Sequence, residues 1–141
     1  MSEINWAALQ SAAQQAAAQA YAPYSKFPVG VAVLAQSGKI YTGCNVENAS
    51  YGGTVCAERN AIAAAVVAGE RTFTAVMVYT PQDKLTPPCG ICRQVIAEFF
   101  TPDAPIASCN HLHQQQNWSL GELLPAAFTP TYLANSTKVG A

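Results

Sequence analysis

Charged residues are scarce in this chain of 141 residues, where Lys, Arg, Asp and Glu together make up 11%. Ordinary soluble domains carry roughly 25%. Because the cores of protein interfaces are depleted of charge, the composition predicts that part of the surface is buried between copies of the chain. An Ala- and Gln-rich monomer is the alternative. Half of the residues are hydrophobic, which excludes disorder over the chain as a whole.

Basic residues are too few and too scattered to form a nucleic-acid surface. The chain has seven Lys and Arg residues and a formal net charge of −1. Proteins that bind polynucleotides carry a basic stripe that displaces counterions from the phosphates. The lack of such a stripe argues against a polynucleotide and favours a small neutral ligand.

Long apolar runs are also missing. No stretch approaches the roughly 20 residues needed to cross a bilayer, so we expect no membrane partner. Residues 1–5 are polar and acidic, unlike the basic start and apolar run of a signal peptide. We therefore expect a cytoplasmic protein.

Structural disulfides are rare in a reducing compartment, so metal binding or catalysis becomes the better explanation for the five cysteines.

The order of periodic segments predicts one α/β domain over residues 1–141, with a loose tail at 136–141. Helices are predicted at 6–20, after Asn5 as N-cap, at 56–68 and at 89–100. Strands are predicted at 29–35, 39–44, 72–79 and 104–108. Helices alternating with strands after an opening hairpin favour a layered domain with a mixed sheet.

Two cysteine motifs predict a zinc site, CAER at 56–59 and PCGICR at 88–93. Cys89 and Cys92 are three residues apart, so they share one face of a helix. Cys56 opens another helix, and the positive end of a helix favours the thiolate that zinc requires. Zinc with three protein ligands keeps a fourth position for water, which is the catalytic arrangement.

Two other interpretations of these cysteines stay open. Cys89 and Cys92 could form a redox pair, although a third motif cysteine fits a metal better. A closed structural zinc site would need a fourth ligand, for which the remaining candidates are Cys44, Cys109, His111 and His113. Cys44 and Cys109 end apolar runs and are expected to be buried and inert, while the two histidines lie in a polar stretch expected to be a solvated loop.

Glu58 and two arginines complete the predicted chemistry. Glu58 lies two residues after Cys56 and is badly placed to be a ligand, but its side chain can reach over the open coordination position. There it could move a proton from water to a leaving amine. Three thiolates on Zn²⁺ leave a charge of about −1, and Arg59 and Arg93 are placed to offset it by hydrogen bonds to the sulfurs.

The motifs together resemble the small, homotetrameric class of cytidine deaminase. The resemblance rests on the two cysteine motifs and on YSKFPVG at 24–30, GCNVENASY at 43–51 and GELLP at 121–125. It runs from about residue 21 to 130. It implies a three-layer α/β/α fold with a mixed sheet of about five strands, and a homotetramer with active sites at the subunit interfaces.

The resemblance also implies where the substrate binds. Asn45 and Glu47 would bind the ribose, which agrees with alternate residues of an extended segment facing one side. Phe27 would form an aromatic wall, and Ala57 would contact the substrate. Phe128 would close over the base from a neighbouring subunit, and Tyr51 would contribute an intersubunit contact; a buried core role is the alternative for both Phe residues.

The implied reaction is hydrolysis of cytidine and deoxycytidine to uridine and deoxyuridine with release of ammonia, as in pyrimidine salvage. Zinc-bound hydroxide would attack C4, with Glu58 as the proton shuttle. Deamination of a modified or antibiotic nucleoside is a second possibility. A structural zinc module for protein interaction is a third, and an accessible open metal position would exclude it.

Overall fold

The computed structural model describes residues 3–139, with side chains over residues 3–134. Within that part of the chain, five strands form one mixed sheet in the order β2-β1-β3-β4-β5. The strands are β1 (Gly30–Ala35), β2 (Ile40–Cys44), β3 (Phe73–Thr80), β4 (Pro105–Asn110) and β5 (Gln115–Ser119). β3 and β4 run parallel, and the other neighbouring pairs are antiparallel.

The helices are α1 (Trp6–Ala17), α2 (Ala57–Val67), α3 (Gly90–Phe99), α4 (Leu120–Leu123) and α5 (Pro130–Val139). α1 begins after Asn5, whose side chain accepts a hydrogen bond from the Ala8 amide at 3.1 Å. α1 ends three residues earlier than predicted. No helix in residues 3–139 is both long and apolar enough to cross a membrane.

The sheet separates two hydrophobic cores. On β1, Val31 and Val33 belong to the core formed with α2 and α3, while Ala32 lies in the core that contains Leu9 and Ala13 of α1. This alternation follows from the period of two along a strand. Helices therefore cover both faces, and the predicted α/β class with a mixed five-stranded sheet is confirmed.

Two glycines allow helices to lie directly against strands. A Cβ atom on Gly43 of β2 would come within 2.6 Å of the Ala57 carbonyl oxygen, and one on Gly30 of β1 within 1.9 Å of the Ala13 carbonyl oxygen. No side chain fits in either gap. The close contact at Gly43 fixes the start of α2, which carries part of the candidate site.

The C-terminal part of the fold differs most from the sequence prediction. The polar stretch from residue 111 to 116 was expected to be a loop, but β5 begins at Gln115 and pairs with β4. β5 is an edge strand of mostly polar residues with no fully buried side chain, so it lacks the apolar alternation that identifies a strand in the sequence. Residues 136–139 of the expected tail belong to α5, and residues 140–141 lie outside the described residues.

Candidate metal centre and adjoining cavity

Three thiols meet where α2 and α3 begin. Cys56 and Cys89 are the residues immediately before the two helices, and Cys92 lies in the first turn of α3. Their sulfur atoms all lie within 4.8 Å of one another, and Cys56 Sγ and Cys89 Sγ are 3.8 Å apart. Among the described residues, these three cysteines, called here the thiol cluster, are the one group of His, Cys, Asp and Glu side chains with this geometry.

The thiol cluster fits a tetrahedral zinc ion. A Zn–S bond of about 2.3 Å in tetrahedral geometry separates two sulfurs by about 3.8 Å, which is the distance between Cys56 Sγ and Cys89 Sγ. This separation is far too long for a disulfide of about 2.05 Å. All five cysteines are free. Cys89 and Cys92 form no disulfide, so the structure gives no support to the interpretation of these two residues as a redox pair.

The pKa values of two neighbouring thiols, Cys56 and Cys92, are shifted in opposite directions. A hydrogen bond from Cys92 lowers the pKa of Cys56 to about 5, and hydrogen bonds from Arg59 and Cys89 act in the same direction. The hydrogen bond to Cys56 in turn raises the pKa of Cys92, and burial adds to this rise. Of these two thiols, Cys56 is therefore the one that readily becomes a thiolate, whereas zinc binds cysteines as thiolates. A zinc ion in the thiol cluster would stabilise the charged form of all three.

The candidates for a fourth ligand lie apart from the thiol cluster. None of the described His, Cys, Asp or Glu residues joins the three sulfurs. Cys109 lies in the core on the α1 side of the sheet, where burial raises its pKa to about 11. His111 is 3.4 Å from the Asp83 carboxylate, measured from Nε2 to Oδ1. The described part of the chain thus offers three ligands and no closed set of four.

Glu58 is a buried carboxyl group beside the thiol cluster. It belongs to the first turn of α2 and is 5% exposed. Burial raises its pKa to about 7, and the negative charge of Cys56 adds to the rise. A carboxyl group that titrates near neutrality can both accept and return a proton at physiological pH.

The two arginines have different partners. Arg59 donates from Nη2 to Cys56 Sγ at 3.6 Å and to the Thr54 carbonyl oxygen at 3.5 Å. Arg93 donates to the carbonyl oxygens of Pro88, at 2.7 Å, and Leu123, at 2.9 Å. The geometry therefore places Arg59 on a sulfur, whereas Arg93 links the backbone before α3, at Pro88, to the end of α4, at Leu123.

A cavity of about 460 Å³ opens next to the thiol cluster. It is lined by Cys56, Ala57, Glu58 and Cys89, and also by Asn45 and Glu47. The apolar part of the wall consists of Phe27, Val29, Val78 and Pro87. A cavity of this size with an apolar wall and a few polar groups is typical of a small-molecule site.

Asn45 and Glu47 are held in place by neighbouring backbone. Asn45 accepts from the Val29 amide and donates to the Phe27 carbonyl oxygen, both at 2.9 Å. Glu47 accepts from the Tyr24 and Ser25 amides at 3.0 Å and from the Ser25 hydroxyl. The Ser25 hydroxyl and then its amide hold the pKa of Glu47 below its usual value, so this side chain is a fixed anion.

Tyr51 and Phe128 do not line this cavity within their own chain. Tyr51 is 76% exposed and makes an edge contact with the Tyr24 ring, whose centroid is 5.9 Å away. Phe128 is 56% exposed and stacks on Tyr132 at 5.6 Å. Neither ring is buried in the core, so the alternative of a core role for Phe128 is wrong.

Sequence reasoning did not identify Ser25, Thr54 and Thr86, although all three line the cavity. Ser25 lies inside the YSKFPVG motif at 24–30, close in sequence to Phe27, so the motif could have indicated that Ser25 lines the cavity too. Thr54 and Thr86 lie in loops without periodic pattern, and only the packing of the loops brings them to the cavity.

Comparison with known proteins agrees with this geometry. The family model described as "Cytidine and deoxycytidylate deaminase zinc-binding region" matches residues 5–108. A cytidine deaminase of Sporosarcina psychrophila is 46% identical over 125 residues, covering 89% of this chain and 92% of that protein. A cytidine deaminase of Mycobacterium tuberculosis is 41% identical over 128 residues, covering 91% and 92%.

Solved structures give the same result. The crystal structure of cytidine deaminase from Burkholderia pseudomallei superimposes with a TM-score of 0.84 at 44% identity, covering 89% of this chain and all of that chain. The cytidine deaminase from Bacillus anthracis, at 19% identity and a TM-score of 0.63, shares the fold.

Proposed function

Because this chain belongs to the cytidine and deoxycytidylate deaminase family and is a zinc-dependent hydrolase, we propose that it hydrolyses cytidine and deoxycytidine to uridine and deoxyuridine in pyrimidine salvage. Water replaces the 4-amino group, which leaves as ammonia. The observation that carries the proposal is the meeting of the thiol cluster and the buried carboxyl of Glu58 in one cavity with Asn45 and Glu47.

The thiol cluster would hold the zinc ion. Zinc with three protein ligands leaves one coordination position to water and makes that water a nucleophile near neutral pH. Arg59, which donates to Cys56 Sγ, offsets the negative charge of the thiolates. Arg93 contributes a second positive charge beside Cys92, while it supports the carbonyl oxygen of Pro88.

Glu58 moves the protons of the reaction. We propose that its carboxylate accepts a proton from the nucleophilic water and delivers it to N3 of the pyrimidine, which makes C4 more electrophilic. After the water oxygen has bonded to C4, Glu58 takes the second proton of that water and gives it to the amine, so that ammonia leaves and C4 becomes a carbonyl. Its burial disfavours the charged carboxylate, which suits a group that must both accept and donate a proton.

The other cavity residues orient the nucleoside. Asn45 retains one N–H and one lone pair beyond its two backbone bonds, and these can bind a sugar hydroxyl beside the fixed Glu47 carboxylate. The backbone N–H of Ala57, in the first turn of α2, has no intrahelical partner and can donate to the base. Phe27 provides an aromatic surface beside the ring.

The charge of the cavity favours a nucleoside over a nucleotide. Glu47 and Glu58 are among the described lining residues, and none of these residues is a Lys or Arg. A 5′-phosphate would find no cation there and would be repelled by the carboxylates. We therefore expect deoxycytidylate to be a poor substrate.

We also propose a cytoplasmic homotetramer with active sites at the subunit interfaces. The low charge content and the exposed Tyr51 and Phe128 rings support burial of this surface between copies, and the five free thiols suit a reducing compartment. Phe128 of the partner subunit would cover the base. Light scattering on the zinc-loaded protein should give four times the mass of the 14.8 kDa chain; a monomer would refute the assembly.

The test of the reaction is an ultraviolet assay with purified, zinc-loaded protein. We expect the absorbance of cytidine and of deoxycytidine to change to that of the uracil nucleosides, and chelation of zinc to stop the change. Deoxycytidylate is the control for charge, because its 5′-phosphate should make it a poor substrate. No turnover of either nucleoside with zinc fully bound would refute the proposal, and a screen of modified cytosine nucleosides would then separate an altered substrate from a structural metal.

A further inference from the structure

The loop at residues 81–89, between β3 and α3, forms one wall of the cavity beside the thiol cluster. Thr86 and Pro87 of this loop, together with Phe27, line that cavity and also a second one of about 610 Å³ on its other side. The second cavity is further lined by Asp83 and His111. The loop thus separates the proposed nucleoside pocket from a neighbouring space.

Two buried side chains of β4 tie this loop to the sheet. The Ser108 hydroxyl donates to the Thr86 carbonyl oxygen, and Asn110 Nδ2 donates to the Asp83 carbonyl oxygen at 3.1 Å. Ser108 is 1% exposed and Asn110 is 3% exposed. Asn110 is itself fixed, because its Oδ1 accepts from the Leu112 and Gln114 amides, both at 3.1 Å.

The position of Ser108 calls for a specific role. Ile106, two residues earlier on β4, belongs to the core formed with α2 and α3, so the period of two places Ser108 on the same face. An apolar side chain would fit that face at no cost in desolvation, whereas a buried hydroxyl is tolerated because it is hydrogen-bonded. Three residues of the loop are prolines, which have no N–H to pair with the sheet.

The proposed reaction orients the pyrimidine relative to this wall. Glu58 must reach N3, so the N3 edge of the ring faces α2. The opposite edge, which carries C5, then points away from α2, and Thr86 and Pro87 are the lining residues that the loop contributes to the cavity. A C5 substituent directed at Thr86 and Pro87 would press on the loop, which has the second cavity behind it.

We propose that Ser108 and Asn110 are positioning residues that hold the loop at residues 81–89 as a closed wall, and that this tether makes the enzyme discriminate against cytidines substituted at C5. The specificity role rests on the proposed function. When the tether is loosened, the loop moves toward the second cavity and admits the substituent, while cytidine loses contact with the wall.

The experiment compares cytidine with 5-methylcytidine in zinc-loaded wild type and in Ser108→Ala. One typical net hydrogen bond corresponds to a factor of about five in an equilibrium. We therefore expect the ratio of kcat/KM for 5-methylcytidine to that for cytidine to rise about fivefold, with the loss on cytidine appearing in KM. Cys109→Ala is the matched control, because Cys109 is buried on the same strand but on the α1 side.

Hydrogen exchange provides a readout that does not depend on activity. The amides of residues 82–86 should exchange about fivefold faster in Ser108→Ala than in Cys109→Ala. Ser108→Cys preserves the packing with a weaker donor and should give a smaller shift in the same direction, which keeps the test available if Ser108→Ala does not fold.

An unchanged substrate ratio in the Ser108 variants, or the same change in Cys109→Ala, would overturn the specificity role. Unchanged exchange of the loop amides would overturn the tether. Failure of the zinc-loaded wild type to convert cytidine would instead refute the proposed function, and the specificity role with it. The exchange measurement would still decide the tether in that case.

Discussion

Replacing Glu58 by glutamine tests the proposed chemistry directly, because the two side chains have nearly the same shape and the amide cannot accept a proton. Positioned acid–base groups contribute about 10² to 10⁴ in rate. Since Glu58 serves both the nucleophilic water and the departing amine, we expect kcat to fall by about 10⁴, or about 5.5 kcal/mol in activation free energy.

The assay is steady-state deamination of cytidine by Glu58→Gln, with zinc measured in the same samples. The thiol cluster is untouched by this change, so zinc content should stay at one ion per chain, and KM should change much less than kcat. A variant with full zinc and a rate within about tenfold of wild type would refute the role of Glu58 as proton shuttle. Loss of zinc would show instead that the carboxylate supports the metal site.

The same substitution has a measurable effect on the stability of the zinc-free protein. Burial raises the pKa of Glu58 from 4.5 to about 7, so between these pH values the folded protein retains a proton that the unfolded chain has released. The Glu58 contribution to stability is therefore full below pH 4.5 and decreases as the pH rises to about 7. The decrease is about 3 kcal/mol at 1.36 kcal/mol per pKa unit.

Chemical denaturation of the zinc-free proteins at pH 5 and pH 8 checks this value. Other groups, Cys56 among them, titrate in the same range, so the relevant quantity is the difference in unfolding free energy between wild type and Glu58→Gln. As the pH rises from 5 to 8, Glu58→Gln should become more stable relative to wild type. The same difference at both pH values would contradict the burial argument.

Three further predictions concern zinc, sugar binding and assembly. Cys89→Ser removes one of three zinc ligands, so metal analysis should find the zinc lost together with activity; a full complement of zinc would contradict the assignment. Glu47→Gln replaces a charge-assisted hydrogen bond to the sugar with a weaker neutral one, so KM for cytidine should rise about tenfold with kcat little changed. Because the pKa of Glu47 is lowered, protonation of Glu47 should raise the wild-type KM for cytidine only below pH 4.5. A protonation of Glu47 that raises KM already above pH 4.5 would argue against this role. Phe128→Ala should raise KM while zinc content stays constant, and mixing it with a catalytically inactive Glu58→Gln protein should restore tight cytidine binding at some sites; no restoration would refute a contribution from the partner subunit.

The sequence alone determined the parts of this protein that depend on local pattern. The spacing of Cys89 and Cys92 and the start of α2 after Cys56 follow from helical periodicity and from turn residues, and these were predicted correctly as secondary structure. The reaction class came from short motifs, because a zinc deaminase requires a small set of residue types close together. The core strands β1 and β3 were recognisable since each alternates or runs apolar over its whole length.

The tertiary structure alone decided what depends on contacts between distant segments. Cys56 Sγ and Cys89 Sγ are 3.8 Å apart although the residues are separated by 33 positions, and only the packing of α2 beside α3 brings them together. The same holds for the backbone partners of Arg93, for the pairing of Ser25 with Glu47 and for the Ser108 tether to Thr86. Periodicity reports which face of an element is buried, whereas the distance between two side chains depends on how whole layers pack, and a single sequence does not encode that locally.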